Sequence, residues 1–366
     1  MLLKLWTLIF LTLTASMVCP TFVLAQPESP LKIADINYLE LNNLLLKGRR
    51  YVQEQQYDRA LETYEQAVTL DGANSRIFSG IGYVHILKEN YEEATKAYEL
   101  AIDLTPDNPK LYYALGYSLG KSGDNLAAAE AYQKAIDLEP LNIQNHLGLG
   151  VVLLRAKEYD RAIDAYKVIL ALDPENEQAY RIVSRILIEQ ERYQQAIALL
   201  RPVVKKYPNL RDLQLELASA LINQGNLEAG LQTLRNAKNN DPRNYLIYLR
   251  MGEALYQQQD LNAALVEYRQ AARLNPKNPQ VLAQLGQVYL AQKSYVNAIL
   301  VFRSLTEIEP DNPLGYHNLG IALNARNRDQ EAISAFDRAL VLYQEAGNAT
   351  EAENITLLID EINSKK

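Results

Sequence analysis

The sequence predicts an all-α protein built as a solenoid of nine helix pairs, closed by one further helix at its C-terminal end. Three observations carry that prediction. A phrase recurs in steps of 34 residues or a multiple of it: "KAYELAIDLTPDN" at 96–108, "EAYQKAIDLEPLN" at 130–142, "DAYKVILALDPEN" at 164–176 and "VEYRQAARLNPKN" at 266–278. Within that period small, large and helix-breaking residues keep fixed places. After the last copy comes one more amphipathic stretch, "TEAENITLLIDEI" at 350–362.

The first 25 residues stand apart from the repeat. Lys4 precedes an apolar run without acidic residues from Leu5 to Val18, and "CPTFVLAQP" follows. Val23 and Ala25 are small residues in a cleavage-site arrangement, so residues 1–25 are expected to be a signal peptide cut after Ala25. An uncleaved anchor is the alternative, since Leu5–Ala25 just reaches the length of a bilayer span, although Thr, Ser and Pro20 dilute it. A lipoprotein site at Cys19 is disfavoured by the bulk of Val18 before it. The expected location is the periplasm or an equivalent lumen, with the chain secreted or membrane-anchored if the leader is retained. Cys19 is the only cysteine and would leave with the leader, which removes disulfides, thiol nucleophiles and thiolate metal sites from the mature chain. Loss of Lys4 leaves 36 basic residues against 44 acidic ones, a net charge of −8 that argues against nucleic-acid binding. "QPESP" at 26–30 reads as an exposed linker, and residues 26–40 as a segment leading into the first repeat.

Counted from Leu41, nine 34-residue repeats run to Ala346 without an insertion. Place eight holds Gly48, Gly82, Gly116, Gly150, Gly252, Gly286 and Gly320, with Ser184 and Ala218 in the fifth and sixth repeats. Place twenty is Ala in every repeat but the sixth, which has Gly230. Place twenty-four is aromatic (Tyr64, Tyr98, Tyr132, Tyr166, Tyr268, Phe302, Phe336), except for Leu200 and Leu234 in the same two repeats. Place thirty-two is proline from Pro106 to Pro310, with Gly72 and Gln344 at the two ends. Apolar residues in "YYALGYSL" and "AEAYQKAIDL" recur at three- and four-residue spacing, the mark of two amphipathic helices per repeat. A glycine inside the first helix costs about 1 kcal/mol of helix propensity. That cost is tolerable if the missing side chain admits a neighbour, with the small place twenty as the other half of the contact and the large place twenty-four filling the gap between repeats. Proline at place thirty-two ends the second helix, and Pro109, Pro279 and Pro313 can open the next.

The closing stretch begins with Thr350 and Glu353 in capping-box spacing and lays Ala352, Ile355, Ile359 and Ile362 on one face. Residues 347–366 are thus expected to be a capping helix and tail covering the last repeat. The departures at places eight and twenty-four, together with Pro202 inside a second helix, predict a bend or softening near residues 184–234.

The third repeat shows the pattern most fully, in Tyr112, Leu115–Gly116, Leu119, Ala128, Tyr132 and Pro140. It resembles the tetratricopeptide repeat, and the resemblance covers residues 41–346. It implies a right-handed superhelical solenoid whose first helices line a concave groove, chiefly through places two, five, nine, twelve and thirteen. Carried onto this chain, those places give Tyr83, Ile86, Leu87, Tyr113, Tyr117, Leu147, Val151 and Leu154 in repeats two to four. Arg49, Arg76, Lys110, Lys121, Arg155, Arg181 and Arg185 border or follow them. Repeats seven to nine offer the more polar Glu253, Tyr256, Gln257, Gln280, Gln287, His317 and Asn324. The candidate partner-binding residues are therefore Arg49, Arg76, Tyr83, Tyr113, Tyr117, Lys121, Arg155, Arg181 and Arg185, with aromatics for apolar side chains and basic residues for carboxylates of an extended or helical peptide. Repeat proteins that grip chaperone C-termini use Lys at place five and Asn at place nine; here those places read Leu45/Arg49, Ser79/Tyr83, Tyr113/Tyr117 and Leu147/Val151, which argues against such a clamp.

Catalysis is not expected, and neither is a cofactor or a metal. His85, His146 and His317 lie in different repeats; the first two occupy core places, while His317 can face the groove. No His-Glu-x-x-His, Cys-x-x-Cys or nucleophile elbow is present. "GYSLGKSG" at 116–123 is one residue short of a phosphate loop and ends a helix. Asn348-Ala-Thr350 and Asn354-Ile-Thr356 are sequons of the kind that arise by chance, and the second falls in the closing helix. The sequence thus predicts a non-catalytic scaffold binding partner polypeptides, in assembly or maintenance of an envelope or membrane complex. The alternatives are a membrane-tethered protein that self-associates through its ends, and a regulatory or receptor subunit of a separate enzyme. Membrane contact is expected only through the N-terminal segment.

Overall fold

The computed structural model describes residues 33–208 and 210–364; the expected leader and the "QPESP" linker lie outside them. The described residues form nineteen helices and no strands, an all-α repeat solenoid. The chain divides into two compact units, one ending at Ser122 and the other beginning at Gly123. The first unit contains α1 (Ile33–Gln53), α2 (Tyr57–Leu70), α3 (Ser75–Leu87), α4 (Tyr91–Leu104) and α5 (Pro109–Ser122). The second begins with α6 (Asn125–Leu138), α7 (Ile143–Arg155), α8 (Tyr159–Leu172), α9 (Glu177–Glu189), α10 (Tyr193–Lys206) and α11 (Arg211–Asn223). It continues with α12 (Leu227–Asn240), α13 (Tyr245–Gln257), α14 (Leu261–Leu274), α15 (Pro279–Ala291), α16 (Tyr295–Ile308), α17 (Pro313–Asn324), α18 (Asp329–Glu345) and α19 (Ala349–Ser364).

From Ser75 to Pro313 the first helix of each repeat starts every 34 residues, and from Tyr57 to Asp329 so does the second. Two local devices keep that register. The first is a left-handed residue at place fifteen, between the two helices of a repeat. Gly123 and Gly225 adopt it without strain, whereas Gln55, Glu89, Lys157, Glu191, Gln259, Lys293 and Asn327 are held there at φ of 57–62°. The backbone explains why the conformation persists: the next N–H closes back on the carbonyl five residues earlier, as in Gln56 to Tyr51, Glu158 to Leu153 and Ser294 to Tyr289. A non-glycine residue in this region costs about 1 kcal/mol.

The second device is an asparagine at place thirty-four. Asn74, Asn108, Asn142, Asn176, Asn244, Asn278 and Asn312 each accept a hydrogen bond from an N–H in the first turn of the next helix, at 3.0–3.2 Å. Asn74, Asn142, Asn176 and Asn312 also donate to a carboxylate three residues earlier, tying the turn between repeats. Leu210 replaces the asparagine before α11, has no capping side chain to offer, and is buried in the core instead.

Packing turns on the glycine at place eight. A Cβ built on Gly48, Gly82, Gly150, Gly252, Gly286 or Gly320 would lie 2.5–2.8 Å from the aromatic ring at place twenty-four of the same repeat. The ring therefore rests on the bare backbone of its own first helix, a closer contact than the gap between repeats that its size suggests. Some rings reach onward as well: a Cβ on Gly80, at place six of the second repeat, would lie 2.8 Å from Tyr64, and one on Gly148 would collide with Tyr132. The alanines at place twenty fit beneath, Ala60, Ala94, Ala128, Ala162, Ala196, Ala264, Ala298 and Ala332 all being fully buried.

Repeats five and six follow the same logic with other residues. Ser184 and Ala218 put a side chain where glycine stands elsewhere, and the shorter Leu200 and Leu234 make room for it; all four are fully buried. α10 runs through Pro202 without a break, with the proline on its exposed side. The expected softening near 184–234 therefore finds no counterpart in the packing. Two other expectations change. Residues 33–40, expected only as a segment leading into the first repeat, are the first turns of α1, and neither proline nor glycine separates Ile33 from Gly48. The closing helix α19 is capped by Asn348, which accepts from the Glu351 N–H at 3.3 Å, and Thr350 already lies inside it. Its expected face is correct: Ala352, Ile355 and Ile362 are buried and Ile359 packs beside them.

Candidate functional site

The expected binding residues fall on first helices of both units. In the first unit Arg49 lies on α1, Arg76 and Tyr83 on α3, and Tyr113, Tyr117 and Lys121 on α5. The cations Arg49, Arg76 and Lys121 are exposed, and the three tyrosines are half-buried. Half-burial is what a contact surface requires, because the ring keeps a fixed position while one face remains in water. Tyr83 and Tyr113 have phenol pKa values raised first by burial and then by a neighbouring tyrosine, Tyr57 for Tyr83 and Tyr117 for Tyr113. Tyr98, buried beneath, is raised by burial and by Tyr83. The Lys121 Nζ stands 5.6 Å from the centre of the Tyr117 ring. Tyr64 is raised by burial, an effect that Arg49 partly offsets. The buried ring at place twenty-four thus lies next to the side chain at place nine in the first two repeats, and core packing fixes the floor of the first-helix surface.

In the second unit Arg181 and Arg185 meet carboxylates of their own chain. Arg181 on α9 bonds Asp212 at 3.2 Å, and Arg185 bonds Glu216 at 3.0 Å, both on α11. These arginines were expected to face a partner's acidic groups, yet place five and place nine of one repeat stand beside place two and place six of the next. Arg155 ends α7 and is exposed. Further along, Glu253 accepts from Arg250 at 2.8 Å and from Gln280 at 3.1 Å, another link between consecutive first helices. Tyr268 lies below Glu253 and Tyr256; its phenol is raised mainly by burial, and its hydroxyl is buried without a hydrogen-bond partner. Tyr166 is raised to about 12 by burial, and its hydroxyl is likewise unpartnered.

The histidines are packing residues in two cases. His146 is buried, with Nε2 2.7 Å from the Pro140 carbonyl oxygen. His317 presents its ring edge-on to Phe336 and Tyr343, at centroid distances of 6.2 and 6.4 Å, so it braces the last repeat instead of pointing only into the groove. His85 is half-buried, its Nδ1 without a partner, and burial lowers its pKa. Among the described residues no three His, Cys, Asp or Glu side chains converge in a way that could hold a metal ion. No helix among them is long and apolar enough to cross a membrane.

Four family profiles match this sequence, all for the tetratricopeptide repeat: one at residues 113–177, one at 48–87, 82–123 and 252–293, one at 187–255 and one at 279–312. No curated protein matches it. Similar solved structures include YrrB, described as a TPR protein with an unusual peptide-binding site, at 20% identity and a TM-score of 0.40 over 51% of this chain and 97% of that one. Pseudomonas aeruginosa pilF matches at 20% identity and a TM-score of 0.43 over 57% and 94% of the two chains. A tetratricopeptide repeat protein of Parabacteroides merdae matches at 14% identity and 0.42 over 68% and 99%. Period, glycine-on-ring packing and profile matches agree along the described chain, which belongs to the tetratricopeptide repeat family, a family of generally non-catalytic scaffolds for protein–protein interaction.

Proposed function

We propose that this chain is an exported scaffold that holds partner polypeptides by an extended or helical peptide segment, in assembly or maintenance of an envelope or membrane complex. The observation that carries the groove reading is the half-buried tyrosine set of the first unit, Tyr83, Tyr113 and Tyr117, bordered by Arg49, Arg76 and Lys121. Tyrosines held at a fixed depth by a buried ring below suit the apolar side chains of a peptide, and exposed cations beside them suit its carboxylates. Arg155, in the second unit, is a further exposed cation on a first helix. Arg181 and Arg185 are the weaker members, because a ligand would have to displace Asp212 and Glu216. Export rests on the arrangement of residues 1–25, and the complex-assembly role on the family's habits.

The test is capture from a native extract by residues 26–366, beside a Tyr83→Ala/Tyr117→Ala variant of equal helicity. The expected result is a partner held by the first and lost from the second. Identical captures would remove the tyrosine groove as the site. N-terminal sequencing of the native protein tests export directly, with Gln26 as the expected first residue.

A further inference from the structure

The second helices carry a charge pattern of their own. Place twenty-five is Arg201, Arg235, Arg269 and Arg303 in repeats five to eight, all exposed on α10, α12, α14 and α16. The helices α10, α12 and α14 together hold seven Lys or Arg residues against Glu228 and Glu267. By contrast, α2, α4, α6 and α8 hold eleven Asp or Glu residues against five Lys or Arg. A basic stripe of this kind runs against the chain's net charge of −7.

The stripe is only partly neutralised. Arg235 bonds Glu228 at 3.0 Å, and Arg303 bonds Glu331 at 2.8 Å. Arg201 and Arg269 make no hydrogen bond or ion pair with any described residue. Arg273, one turn beyond Arg269, reaches only the Gln270 amide oxygen among the described residues, at 3.5 Å. A cleft of about 340 Å³ opens at this point, lined by Lys238, Tyr248, Val266, Arg269, Gln270 and Arg273 together with Glu267. Lys238 stands 4.8 Å from the centre of the Tyr248 ring, whose hydroxyl donates to the Pro242 carbonyl at 2.8 Å, so the floor is fixed and aromatic. Val266 is 64% exposed at its edge.

We propose that the outer face of the second helices in repeats five to seven is a second interaction surface, which binds an acidic peptide segment of a partner protein carrying an apolar side chain among its carboxylates. Guanidinium groups offer carboxylates a planar, two-pronged bond. Arg201 and Arg269 are unspent for that purpose, and Arg273 nearly so. The cleft beside Val266 takes the apolar side chain, with Tyr248 beneath it. Gln270 lines the same cleft, and its amide N–H group can donate to a peptide carbonyl. Glu228 and Glu267 interrupt the positive charge, which suits a chain whose carboxylates are spaced apart better than it suits a continuous phosphate surface.

The experiment uses the full chain and fluorescence anisotropy of two labelled peptides, Glu-Leu-Glu-Asp-Leu-Glu and the same peptide with every acid changed to lysine. The expected result is binding of the acidic peptide alone, weakening with salt and falling about tenfold or more in Arg201→Glu/Arg269→Glu/Arg273→Glu. These residues are exposed, so helicity should not change, and Val266→Asp gives an independent loss without reversing an arginine. Tyr83→Ala/Tyr117→Ala should bind as the parent does, which separates this surface from the groove. Equal binding by the charge-reversed chain would overturn the proposal, as would failure to bind the acidic peptide. Concentration-dependent mass in sedimentation that vanishes in the reversed variant, without peptide binding, would make the occupant a second copy. Arginine-dependent binding to phosphatidylglycerol vesicles without peptide binding would make it a membrane surface.

Discussion

Substituting Gly286 by alanine tests whether glycine at place eight is there for the ring at place twenty-four. The new Cβ would stand 2.5 Å from Phe302 Cζ, 2.7 Å from Cε1 and 2.9 Å from Cε2, where carbon atoms ordinarily rest about 3.5–4.0 Å apart. Phe302 is fully buried, so the ring has no open space to enter. Overpacking of this kind costs about 1–3 kcal/mol, and alanine returns about 1 kcal/mol of helix propensity. A net loss of about 0–2 kcal/mol is expected. Phe302→Leu alone should cost a further 1–3 kcal/mol or so by leaving a cavity. The pair Gly286→Ala/Phe302→Leu reproduces what the chain already does at Ala218 and Leu234, so it should be more stable than the sum of the two losses by about 1 kcal/mol or more. Urea unfolding followed by far-UV circular dichroism gives the cycle. Hydrogen exchange in α15 and α16 checks the effect locally, because repeat arrays can unfold in segments. Additive losses, or a Gly286→Ala chain more stable than the parent, would refute the reasoning.

Other outcomes follow from the same structure. Glu191→Gly, at φ 58°, should stabilise by about 0.5–1 kcal/mol in urea unfolding, and Gly225→Ala, at φ 93°, should destabilise by a similar amount. Asn278→Ala removes the acceptor for the Val281 N–H and should cost about 1 kcal/mol by the same measurement. Tyr268→Phe deletes a buried hydroxyl that has no partner, and thermal unfolding should show equal or greater stability, as Phe302 and Phe336 at the same place suggest. Burial lowers the His317 pKa below 6.5, with Glu351 opposing, so the unfolded chain holds more protons than the folded one between the lowered value and 6.5. The contribution is therefore complete above pH 6.5 and lost on acidification through the lowered value; melting temperature should fall over that range, and less steeply in His317→Gln.

Much of the fold was legible because one period governs it. A 34-residue spacing, read at places eight, twenty, twenty-four and thirty-two, locates every helix pair, and three- and four-residue spacing of apolar residues gives the packing face of α19. The asparagine at place thirty-four stands in the recurring phrase itself, yet its role depends on backbone N–H groups that no apolar pattern reports. Asn348 was missed at the start of α19 for a related reason: Thr350 and Glu353 have capping-box spacing, but the helix has already begun at Ala349. The groove was read one helix at a time, which hides pairs such as Arg181 with Asp212 and Arg185 with Glu216, separated by 31 residues. Spacings a little under one period are where neighbouring repeats touch, and a scan for opposite charges there would have found both. The arginine column at place twenty-five was equally visible in the sequence but lies on helices outside the expected groove.

The contact of Tyr64 with Gly80 has a consequence for how such a chain can grow or be rearranged. Repeat one and repeat two are fitted to each other: the Tyr64 ring lies where a Cβ at place six of repeat two would stand, as the Tyr132 ring does at Gly148, whereas Tyr166 and Tyr268 are followed at that place by Ile182 and Gln284. Repeat seven has Arg250 at that place, and the Tyr64 ring would have to take another position before repeat seven could follow repeat one. Duplication of a single 34-residue block therefore makes a junction that the block was not fitted to, while duplication of a longer run brings its internal junctions along. The order of these repeats behaves less like beads on a string than like words under a grammar, in which each licenses what comes next.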